Sequence, residues 1–388
     1  MANKLTVGLL AGEASGDNLG AGLIQSLREL LPSEDTVEFV GIGGDKMIAA
    51  GLDCLHSINE LSVNGFKDPI LKLPSLLRLL RTIGDELLER DVDVFIGIDF
   101  NVFNFLLEGR LKKQGVRTAH YVSPSVYAWR RGRTKRVAKV ADMVFCLYPF
   151  EPNFYAGTAV EPVFVGHPLA QEIDPESSGD AARAEARATL GVETDKTVIA
   201  VLPGSRSSEI ELMLPPFVGA MEILQAHFVN VEFLIPYPNK RLLAKLSAVV
   251  ERDLPVRLIA SGARQVLQAA DAAIVKSGTS TLEAMLLRRP MVVSYRLGAL
   301  SFRFAKLLVR TPYVALPNIL LGRARVPELL QEEGTPEALA SALVAELEAA
   351  KTQDNYFSDF DALHDELRRD ANATAARAVL RLAGIRDR

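Results

Sequence analysis

Glu13 and Asp17 lie in a glycine-rich turn that follows an apolar run, in "LLAGEASGDNLGAGL" at residues 9–23. Strand, turn and helix in this order often hold a phosphate, but the glycines here do not follow the dinucleotide spacing G-x-G-x-x-G. The nicotinamide-binding interpretation is therefore weak. The glycines can shape a tight turn, and Ser15 or Asp17 could cap the helix. Glu13 is harder to explain structurally, so we expect it to face a substrate.

Asp99 ends a second apolar run, in "DVFIGIDFNVFN" at residues 93–104. A carboxylate at the carboxyl end of a strand can accept a proton from a substrate hydroxyl that lies within hydrogen-bond reach. Taken alone, Asp99 is better explained as the cap of a helix that begins near residue 101. Together with Glu13, it is a candidate catalytic residue.

Two later turns have the character of phosphate sites. They follow apolar runs in "VLPGSRSSEIELMLPPF" at 201–217 and "AAIVKSGTSTLEAMLLRRPMVV" at 272–293. Each precedes a predicted helix, whose first N–H groups are free to bind an anion, and Arg206 adds a fork of donors that matches phosphate oxygens. An exposed arginine beside a loop remains the alternative. Two such turns in one domain suit a nucleoside diphosphate. The predicted ligands are Gly204, Ser205, Arg206, Ser277, Gly278 and Thr279.

Four more polar residues extend this candidate site. Glu283 follows the second turn and could accept both hydroxyls of a ribose, although an acid near a helix N-terminus is also favoured by the helix dipole. In "YVALPNILLGRARVPELLQEE", residues 313–333, Asn318 is expected to end a strand, and Arg323 and Gln331 could reach a nucleotide. Alone, that last stretch is a weak signal.

Three stretches mix basic and apolar residues, at 65–83, 127–139 and 297–310. This composition suits contact with anionic lipid or with acyl chains. For 65–83 a plain core helix with solvated cations remains the alternative. Nucleic acid is disfavoured because the chain has a net charge of -4 and no recognisable binding motif. The predicted membrane or acyl contacts are Phe66, Ile70, Leu71, Leu73, Leu76, Leu77, Arg78 and Arg81.

The elements that must position these residues alternate between apolar runs and helical patterns. Such alternation predicts buried parallel strands, and 388 residues exceed one typical core. We therefore predict an α/β fold with two Rossmann-like, doubly wound domains, a boundary near 168–174, and a cleft lined by the carboxyl ends of the strands. The predicted strands lie near 5–11, 37–42, 92–98, 117–122, 143–148 and 162–166, then near 197–203, 231–236, 256–260, 271–276, 290–295 and 312–316.

Composition favours a cytosolic globular protein, with 48% hydrophobic and 24% charged residues. Cys54 and Cys146 form no C-x-x-C pair and are expected to be buried, reduced thiols. The five histidines show no metal-ligand spacing, so no metal is predicted. No run of 18 apolar residues is present, so no membrane-spanning helix is expected.

Taken together, "GEASGD", "VSPSVYAWRRGR", "LPGSR", "SGTSTLE" and "LPNILLGR..VPELLQ" resemble, in order and spacing, the lipid-A-disaccharide synthases. The resemblance covers about residues 5–335. It implies a metal-independent, inverting glycosyltransferase of the GT-B type without cofactor. The implied reaction transfers 2,3-diacylglucosamine from its UDP conjugate to 2,3-diacylglucosamine 1-phosphate, giving a β-1,6-linked disaccharide 1-phosphate and UDP.

The resemblance also implies a division of labour. Residues 1–170 would bind the acceptor and the membrane, residues 171–355 would bind the UDP-sugar, and residues 356–388 would form a helical tail that packs back across the domains. The implied place is the cytoplasmic face of the inner membrane of Gram-negative bacteria, on anionic lipid. The oligomeric state stays open, with a homodimer as one expectation.

Several residues match positions of the family motifs. Asp99 matches the acid after the third predicted strand, and Arg206, Glu283 and Asn318 match positions associated with the UDP-sugar. The candidates for acceptor binding are Ser15, Asp17, Asn101 and Ser123, with Glu13 and Asp99 as catalytic candidates.

The chain also departs from the family pattern. Where the family often reads D-x-P-D-F-N, it has Asn101 and Val102 in place of the proline and the second acid, so Asp99 must act without that neighbour or the second acid is dispensable. Asn64 and Lys67 stand where apolar residues are common.

Two rival functions remain at this stage. One is another GT-B enzyme that handles UDP-GlcNAc, either similar to the muramyl-pentapeptide glucosaminyltransferase or an epimerase. The other is a non-catalytic, membrane-associated nucleotide-binding protein. Release of UDP in the presence of both acylated sugars would separate these from the implied reaction.

Overall fold

A computed structural model describes residues 4–31, 35–61, 69–124, 132–237, 239–250, 252–298 and 311–385. The predictions for Phe66, Asn64 and Lys67, for residues 127–131 of the second basic stretch and for residues 299–310 of the third lie outside these residues. The chain forms two compact units. The first comprises Met1–Gln171 together with Leu367–Arg388, and the second comprises Glu172–Glu366.

The first unit is built on a parallel sheet of seven strands within the described residues, in the order β3-β2-β1-β4-β5-β6-β7. The strands are β1 Lys4–Ala11, β2 Thr36–Ile42, β3 Leu52–Cys54, β4 Val94–Ile98, β5 Arg117–Tyr121, β6 Met143–Cys146 and β7 Glu161–Phe164. The helices are α1 Ala14–Leu30, α2 Asp45–Ala50, α3 Ile58–Leu61, α4 Pro69–Glu89, α5 Asn101–Lys113, α6 Arg133–Val140 and α7 Pro168–Glu172, with a 3-10 helix at Glu151–Tyr155 and a C-terminal helix at Ala371–Ala383.

The second unit repeats this topology with six strands among its described residues, in the order β10-β9-β8-β11-β12-β13. The strands are β8 Thr197–Leu202, β9 Val231–Pro236, β10 Val256–Ile259, β11 Ala272–Lys276, β12 Met291–Tyr295 and β13 Glu328–Leu330. The helices are α8 Asp180–Leu190, α9 Ser207–His227, α10 Lys240–Val250, α11 Ala263–Ala269, α12 Thr279–Leu286, α13 Leu316–Leu321, α14 Pro336–Thr352 and α15 Ser358–Leu367, with 3-10 helices at Pro175–Ser178 and Gln331–Glu333.

Each sheet has one point where the strand order reverses. In the first sheet β1 pairs with β4, placing Ala11 opposite Ile98; in the second β8 pairs with β11, placing Leu202 opposite Val275. Chains that leave such a pair in opposite directions open a crevice at the carboxyl ends of the strands, which is where α/β proteins bind ligands. All four candidate turns follow these central strands. The predicted α/β class with two doubly wound domains is confirmed.

The predicted strand near 312–316 is wrong. The chain there enters α13, with Pro317 in the first turn of the helix, where its missing N–H costs nothing. The N–H groups of Val314 and Ala315 donate to the carboxylate of Glu328, both at 2.9 Å, rather than to a neighbouring strand. The last strand is instead β13, which begins at Glu328, and the short strand β3 was not predicted.

The C-terminal helix completes the core of the first unit. It packs on α1, and its alanines Ala371, Ala375 and Ala376 are buried with Val379 and Leu380 among the core side chains of β1 and α1. Small residues let two helices approach closely, and close-packed atoms stabilise the core. The first unit therefore includes both ends of the chain.

Both cysteines are free thiols. Cys146 is buried as predicted, whereas Cys54 is half-buried. No helix within the described ranges is long and apolar enough to cross a membrane.

Candidate active site

The turn after β1 presents Glu13 and Ser15 to solvent, whereas Asp17 points into the protein. The Asp17 carboxylate accepts hydrogen bonds from the N–H groups of Gly44 at 2.8 Å, Lys46 at 3.1 Å and Met47 at 3.0 Å. It thus caps α2, a role that sequence reasoning considered only for the helix containing Asp17 itself. Acceptor binding by Asp17 stays a prediction, and its observed bonds are structural.

The turn after β4 is held in an uncommon backbone conformation. Asp99 and Phe100 have φ values of 48° and 43°, in the left-handed region that non-glycine residues rarely adopt. Such residues cost roughly 1–3 kcal/mol each and cluster at functional sites. The Phe100 ring lies against Gly12, where an added Cβ would come within 2.5 Å of it. The turns that carry Glu13 and Asp99 are therefore in contact.

The side chain of Asp99 is half-buried and accepts a hydrogen bond from Nδ2 of Asn101 at 3.1 Å. Asn101 thus contacts the proposed base directly. Ser123 follows β5 and is buried, with its hydroxyl 2.9 Å from the hydroxyl of Tyr155. The predicted acceptor contact of Ser123 would have to share that bond.

The two predicted phosphate turns meet in one pocket of the second unit. The pocket has a volume of about 370 Å³ and lies at the carboxyl ends of β8 and β11. Gly204 is needed there because its φ is 124°, and because a Cβ would lie 2.7 Å from the side chain of Glu209. The structure brings together six predicted ligands: Gly204, Ser205, Arg206, Ser277, Gly278 and Thr279.

Sequence reasoning missed an ion pair in this pocket. Nζ of Lys276 lies 3.0 Å from Oε1 of Glu209, and Lys276 also lies over the ring of Tyr295, 5.0 Å from its centroid. Glu209 accepts from the N–H groups of Ser205 at 3.1 Å and Arg206 at 3.3 Å. Those two amides were expected to be free for phosphate, so a ligand would have to share them. The sequence signal that could have identified this ion pair is Lys276 itself, a charged residue at the carboxyl end of the otherwise apolar strand β11.

The charge state of Glu209 follows from these contacts. Burial acts to raise the pKa of its carboxyl, but the ammonium of Lys276 and the two backbone amides outweigh burial and hold the pKa below its ordinary value. Glu209 is therefore ionised at neutral pH. In the free protein the pocket already contains one anion bound by the groups that a phosphate would use.

Glu283 lies on α12 but does not line this pocket among the described residues. Burial raises the pKa of its carboxyl, Arg264 opposes that rise, and Glu172 adds to it. Arg264 itself donates to Glu172 at 2.8 Å. Glu283 therefore meets a mixed electrostatic environment, and its proposed ribose contact stays a prediction.

Asn318 is fully buried and holds α13 to the following loop. Its Nδ2 donates to the carbonyl of Val326 at 2.9 Å and to Glu328 at 2.8 Å, while its Oδ1 accepts from the N–H groups of Arg325 and Val326. Both donors and both lone pairs are used, which leaves nothing for a nucleotide in this arrangement. The UDP contact of Asn318 stays a prediction, and its observed bonds are structural.

Arg323 and Gln331 also lie outside the pocket lining as described. Arg323 binds the carboxylate of Asp359 through both oxygens, at 2.7 and 2.6 Å. Gln331 is buried with a φ of 52°, and its amide, oriented to satisfy both atoms, donates to and accepts from the backbone of Leu297. Neither residue is brought to the phosphate turns.

The predicted membrane segment is a helix, α4, whose C-terminal half belongs to the core. Ile83 and Leu87 are fully buried, whereas Leu77 is 43% exposed beside the exposed Arg78 and Arg81. Leu76 is half-buried, and the side chains of Ile70, Leu71 and Leu73 lie outside the described residues. The helix is thus amphipathic, and its described outer face presents Leu77 together with the cations Arg78 and Arg81.

The family model and the related sequences agree on one family. The model described as "Lipid-A-disaccharide synthetase" matches residues 7–379. A lipid-A-disaccharide synthase from Azotobacter vinelandii is 45% identical over 387 residues, which cover 99% of both chains. One from Saccharophagus degradans is 42% identical, covering 100% of this chain and 99% of that protein.

A solved structure agrees on the fold. The UDP-GlcNAc 2-epimerase from Neisseria meningitidis bound to UDP-GlcNAc has a TM-score of 0.61 at 11% identity, covering 98% of this chain and 99% of that one. At this identity the likeness concerns the fold alone.

Proposed function

The chain belongs to the lipid-A-disaccharide synthetase family and is a glycosyltransferase, and from that premise we propose how its two units divide the reaction. The reaction transfers 2,3-diacylglucosamine from its UDP conjugate to the 6-hydroxyl of 2,3-diacylglucosamine 1-phosphate. The observation that carries this division is the contrast between the two strand-reversal points. One ends in the carboxylates Glu13 and Asp99, and the other in a pocket with Arg206 and Lys276.

The second unit binds the UDP moiety. Its pocket joins two turns, so each phosphate of a diphosphate can meet its own turn, and the first residues of α12, Thr279 and Ser280, line the pocket, where a helix N-terminus favours an anion. Arg206, with a side chain that is 80% exposed, can swing onto the phosphates, and Lys276 supplies a second cation. These charges stabilise the diphosphate as it leaves with the bonding electron pair.

The first unit supplies the base. Asp99 takes the proton from the 6-hydroxyl, the hydroxyl oxygen forms a bond to the anomeric carbon, and the bond from that carbon to the phosphate oxygen of UDP breaks. Attack from the opposite side inverts the anomeric centre and gives the β-1,6 linkage. Asn101, which donates to Asp99, orients the carboxylate, and Glu13 on the contacting turn binds the acceptor.

We further propose that α4 rests on anionic lipid at the cytoplasmic face of the inner membrane. Leu77 offers an exposed apolar side chain, and Arg78 and Arg81 offer charge to anionic headgroups. Both sugar substrates carry acyl chains, so a contact at the bilayer surface brings the enzyme to them.

The test is a mass-spectrometric assay with both acylated monosaccharides and the purified full chain. Formation of the acylated disaccharide 1-phosphate with equimolar UDP supports the proposal. Conversion of UDP-GlcNAc to its 2-epimer, or UDP binding without turnover, would instead support one of the two rival functions. Replacement of one substrate by its non-acylated form tests whether the acyl chains are required.

A further inference from the structure

Asn104 ties together the strand ends that carry the proposed catalytic turns. It lies one turn into α5 and is fully buried. Its Nδ2 lies 2.8 Å from the carbonyl oxygen of Asp99, 3.3 Å from that of Ile98 and 3.4 Å from that of Leu10. One amide group thus bridges the ends of β1 and β4.

These bonds bear on the conformation of the Asp99 turn. The backbone N–H of Asp99 donates to Tyr121 at 2.8 Å, and the N–H of Asn104 donates to Phe100 at 3.3 Å. With the side chain of Asn104 on the carbonyl of Asp99, both peptide groups of Asp99 are fixed. A left-handed, non-glycine residue persists only where its surroundings hold it in this way.

The sheet is shaped to admit Asn104. Gly97 on β4 has no side chain, and a Cβ there would lie 2.2 Å from Oε1 of Glu108 and 2.8 Å from Cβ of Asn104. Asn104 and Glu108 are four residues apart, so they share one face of α5, directly over Gly97. Glu108 is fully buried and lies 2.6 Å from Nδ1 of His120 on β5.

This region is unusually polar for a core. Of the six buried side-chain atoms without a hydrogen-bond partner in the described part of the chain, five belong to β5 and α5. Buried polar groups cost free energy unless they are fully satisfied, so apolar residues would stabilise this site better. The five atoms are Oδ1 of Asn101, Oδ1 of Asn104, Oε2 of Glu108, Nε2 of His120 and the hydroxyl of Tyr121.

We propose that Asn104 is a positioning residue for the glycosyl transfer, holding Asp99 in its left-handed turn by binding the carbonyls of Leu10, Ile98 and Asp99. This inference rests on the proposed role of Asp99 as base. On this view, the free-energy cost of burying Asn104 is retained because Asn104 holds the Asp99 turn. Asn104 does not touch the substrate and acts through the backbone of Asp99.

The experiment compares Asn104→Ala with the wild type in the disaccharide assay. A misplacement of a reacting group by about 1 Å can cost about 100-fold in rate, so we expect kcat to fall by about that factor. The KM for the UDP-sugar and the dissociation constant of UDP should stay within about twofold, because these depend on the second unit. A merely structural defect would unfold part of the first unit, which hydrogen exchange of its peptides would detect, and would lower the activity equally in the Asp99→Asn background.

The matched control is Thr118→Val. Thr118, like Asn104, is fully buried. It lies near the amino end of β5, away from the carboxyl ends of the strands that carry the Asp99 turn, and its hydroxyl donates to the carbonyl of Val140 at 2.8 Å. This variant should unfold at a lower temperature with kcat unchanged. If Asn104→Ala does not fold, Asn104→Ser, which keeps one donor, should show the same split between kcat and KM with a smaller loss.

A double-mutant cycle separates this inference from the proposed function. In the Asp99→Asn background Asn104→Ala should cost less than about threefold, because a residue that acts through Asp99 loses its effect with Asp99. An equal loss in both backgrounds, or a kcat near that of the wild type in Asn104→Ala, overturns the positioning role. Full activity of Asp99→Asn alone overturns the base assignment instead, and absence of disaccharide with the wild type overturns the proposed reaction.

Discussion

The two strand-reversal points of the molecule have the same topology and opposite chemistry. In the first unit, β1 and β4 end in Glu13 and Asp99; in the second, β8 and β11 end in Arg206 and Lys276. Their backbones also differ, because the acidic point uses a left-handed aspartate and phenylalanine, and the other uses glycines with φ values of 124° and 152°. Topology thus decides where a ligand binds, and side chains decide which ligand.

The comparison extends to how each point is supported. The Asp99 turn is held by the buried side-chain amide of Asn104, which donates to the carbonyl of Asp99. The Arg206 turn is held by Glu209, which accepts from two of the turn's own N–H groups. The first arrangement leaves the carboxylate of Asp99 open to a substrate. The second leaves an anion-binding turn that must release or share its own carboxylate when a phosphate arrives.

The largest expected effect is on the acidic point. Asp99→Asn should lower kcat by about 10³-fold, within the range of general base catalysis, because the amide cannot take the hydroxyl proton. UDP affinity, measured by calorimetry, should change less than about twofold. If Asp99→Asn keeps its activity and Glu13→Gln loses it, the base lies on the other turn.

The next largest effect is on the cationic point. Lys276→Gln should weaken UDP binding by about 10- to 100-fold, since a hydrogen bond to a charged group contributes about 1.5–3 kcal/mol. The matched control is Lys245→Gln, which removes an exposed cation paired with Glu211 elsewhere in the second unit. Equal UDP affinity in the wild type and Lys276→Gln would remove Lys276 from the donor site.

The units should also differ in their response to pH. Burial raises the pKa of Glu151 in the first unit to about 8, although the N–H groups of Tyr148 and Leu147 oppose the rise. Its folded-state pKa is above its unfolded value, so its contribution to stability is lost as pH rises from about 5 to 8, with a slope of up to about 1.4 kcal/mol per pH unit. Glu209 in the second unit has a lowered pKa, so its contribution is lost as pH falls below the ordinary carboxyl range.

Hydrogen exchange of peptides from each unit, measured across pH after correction for intrinsic rates, checks this difference. Glu151→Gln keeps a carbonyl oxygen for the two amides but cannot ionise, so it should flatten the fall in protection of the first unit. Unchanged pH dependence in that variant would contradict the assignment to Glu151.

The smallest expected effect is on membrane contact. Leu77→Glu should weaken binding to vesicles that contain anionic lipid by about three- to tenfold, since it replaces apolar surface with a negative charge. The matched control is Ile223→Glu in the second unit, where the side chain is 38% exposed. If both variants lose the same affinity, α4 is not the contact, and the membrane role of the first unit fails.

Much of this fold could be predicted because buried parallel strands have a strong signal. The runs ending at Ala11, Ile98, Leu202 and Lys276 were placed within a few residues. The predicted strand near 312–316 is wrong because a short apolar run fits a strand and the start of a short helix equally well. The hydrogen bond that Val314 donates to Glu328 decides between them, and Glu328 lies 14 residues further along the chain. Periodicity cannot distinguish short apolar runs.

The candidate site was predictable in part, and for a physical reason. Gly204 and Gly278 lie in turns that need positive φ, which favours glycine, so the sequence pattern identified the turns that line the pocket. Asn318 and Asp17 look like ligands in the sequence, yet the structure uses their polar atoms elsewhere. Asp17 accepts from backbone N–H groups 27–30 residues further along the chain. Asn318 bonds the backbone of the loop that follows its helix and the carboxylate of Glu328. The pair of Lys276 and Glu209 was missed because the two residues are 67 positions apart.

The C-terminal helix has a consequence for how the protein is made. The first unit cannot complete its core until Ala371–Ala383 has been synthesised, after all of residues 172–366. At roughly 5–20 residues per second, the seven-stranded sheet waits about 10–40 s on the ribosome with one face of α1 uncovered. Apolar side chains of α1 stay exposed during that interval, and truncation before residue 371 would leave them exposed permanently.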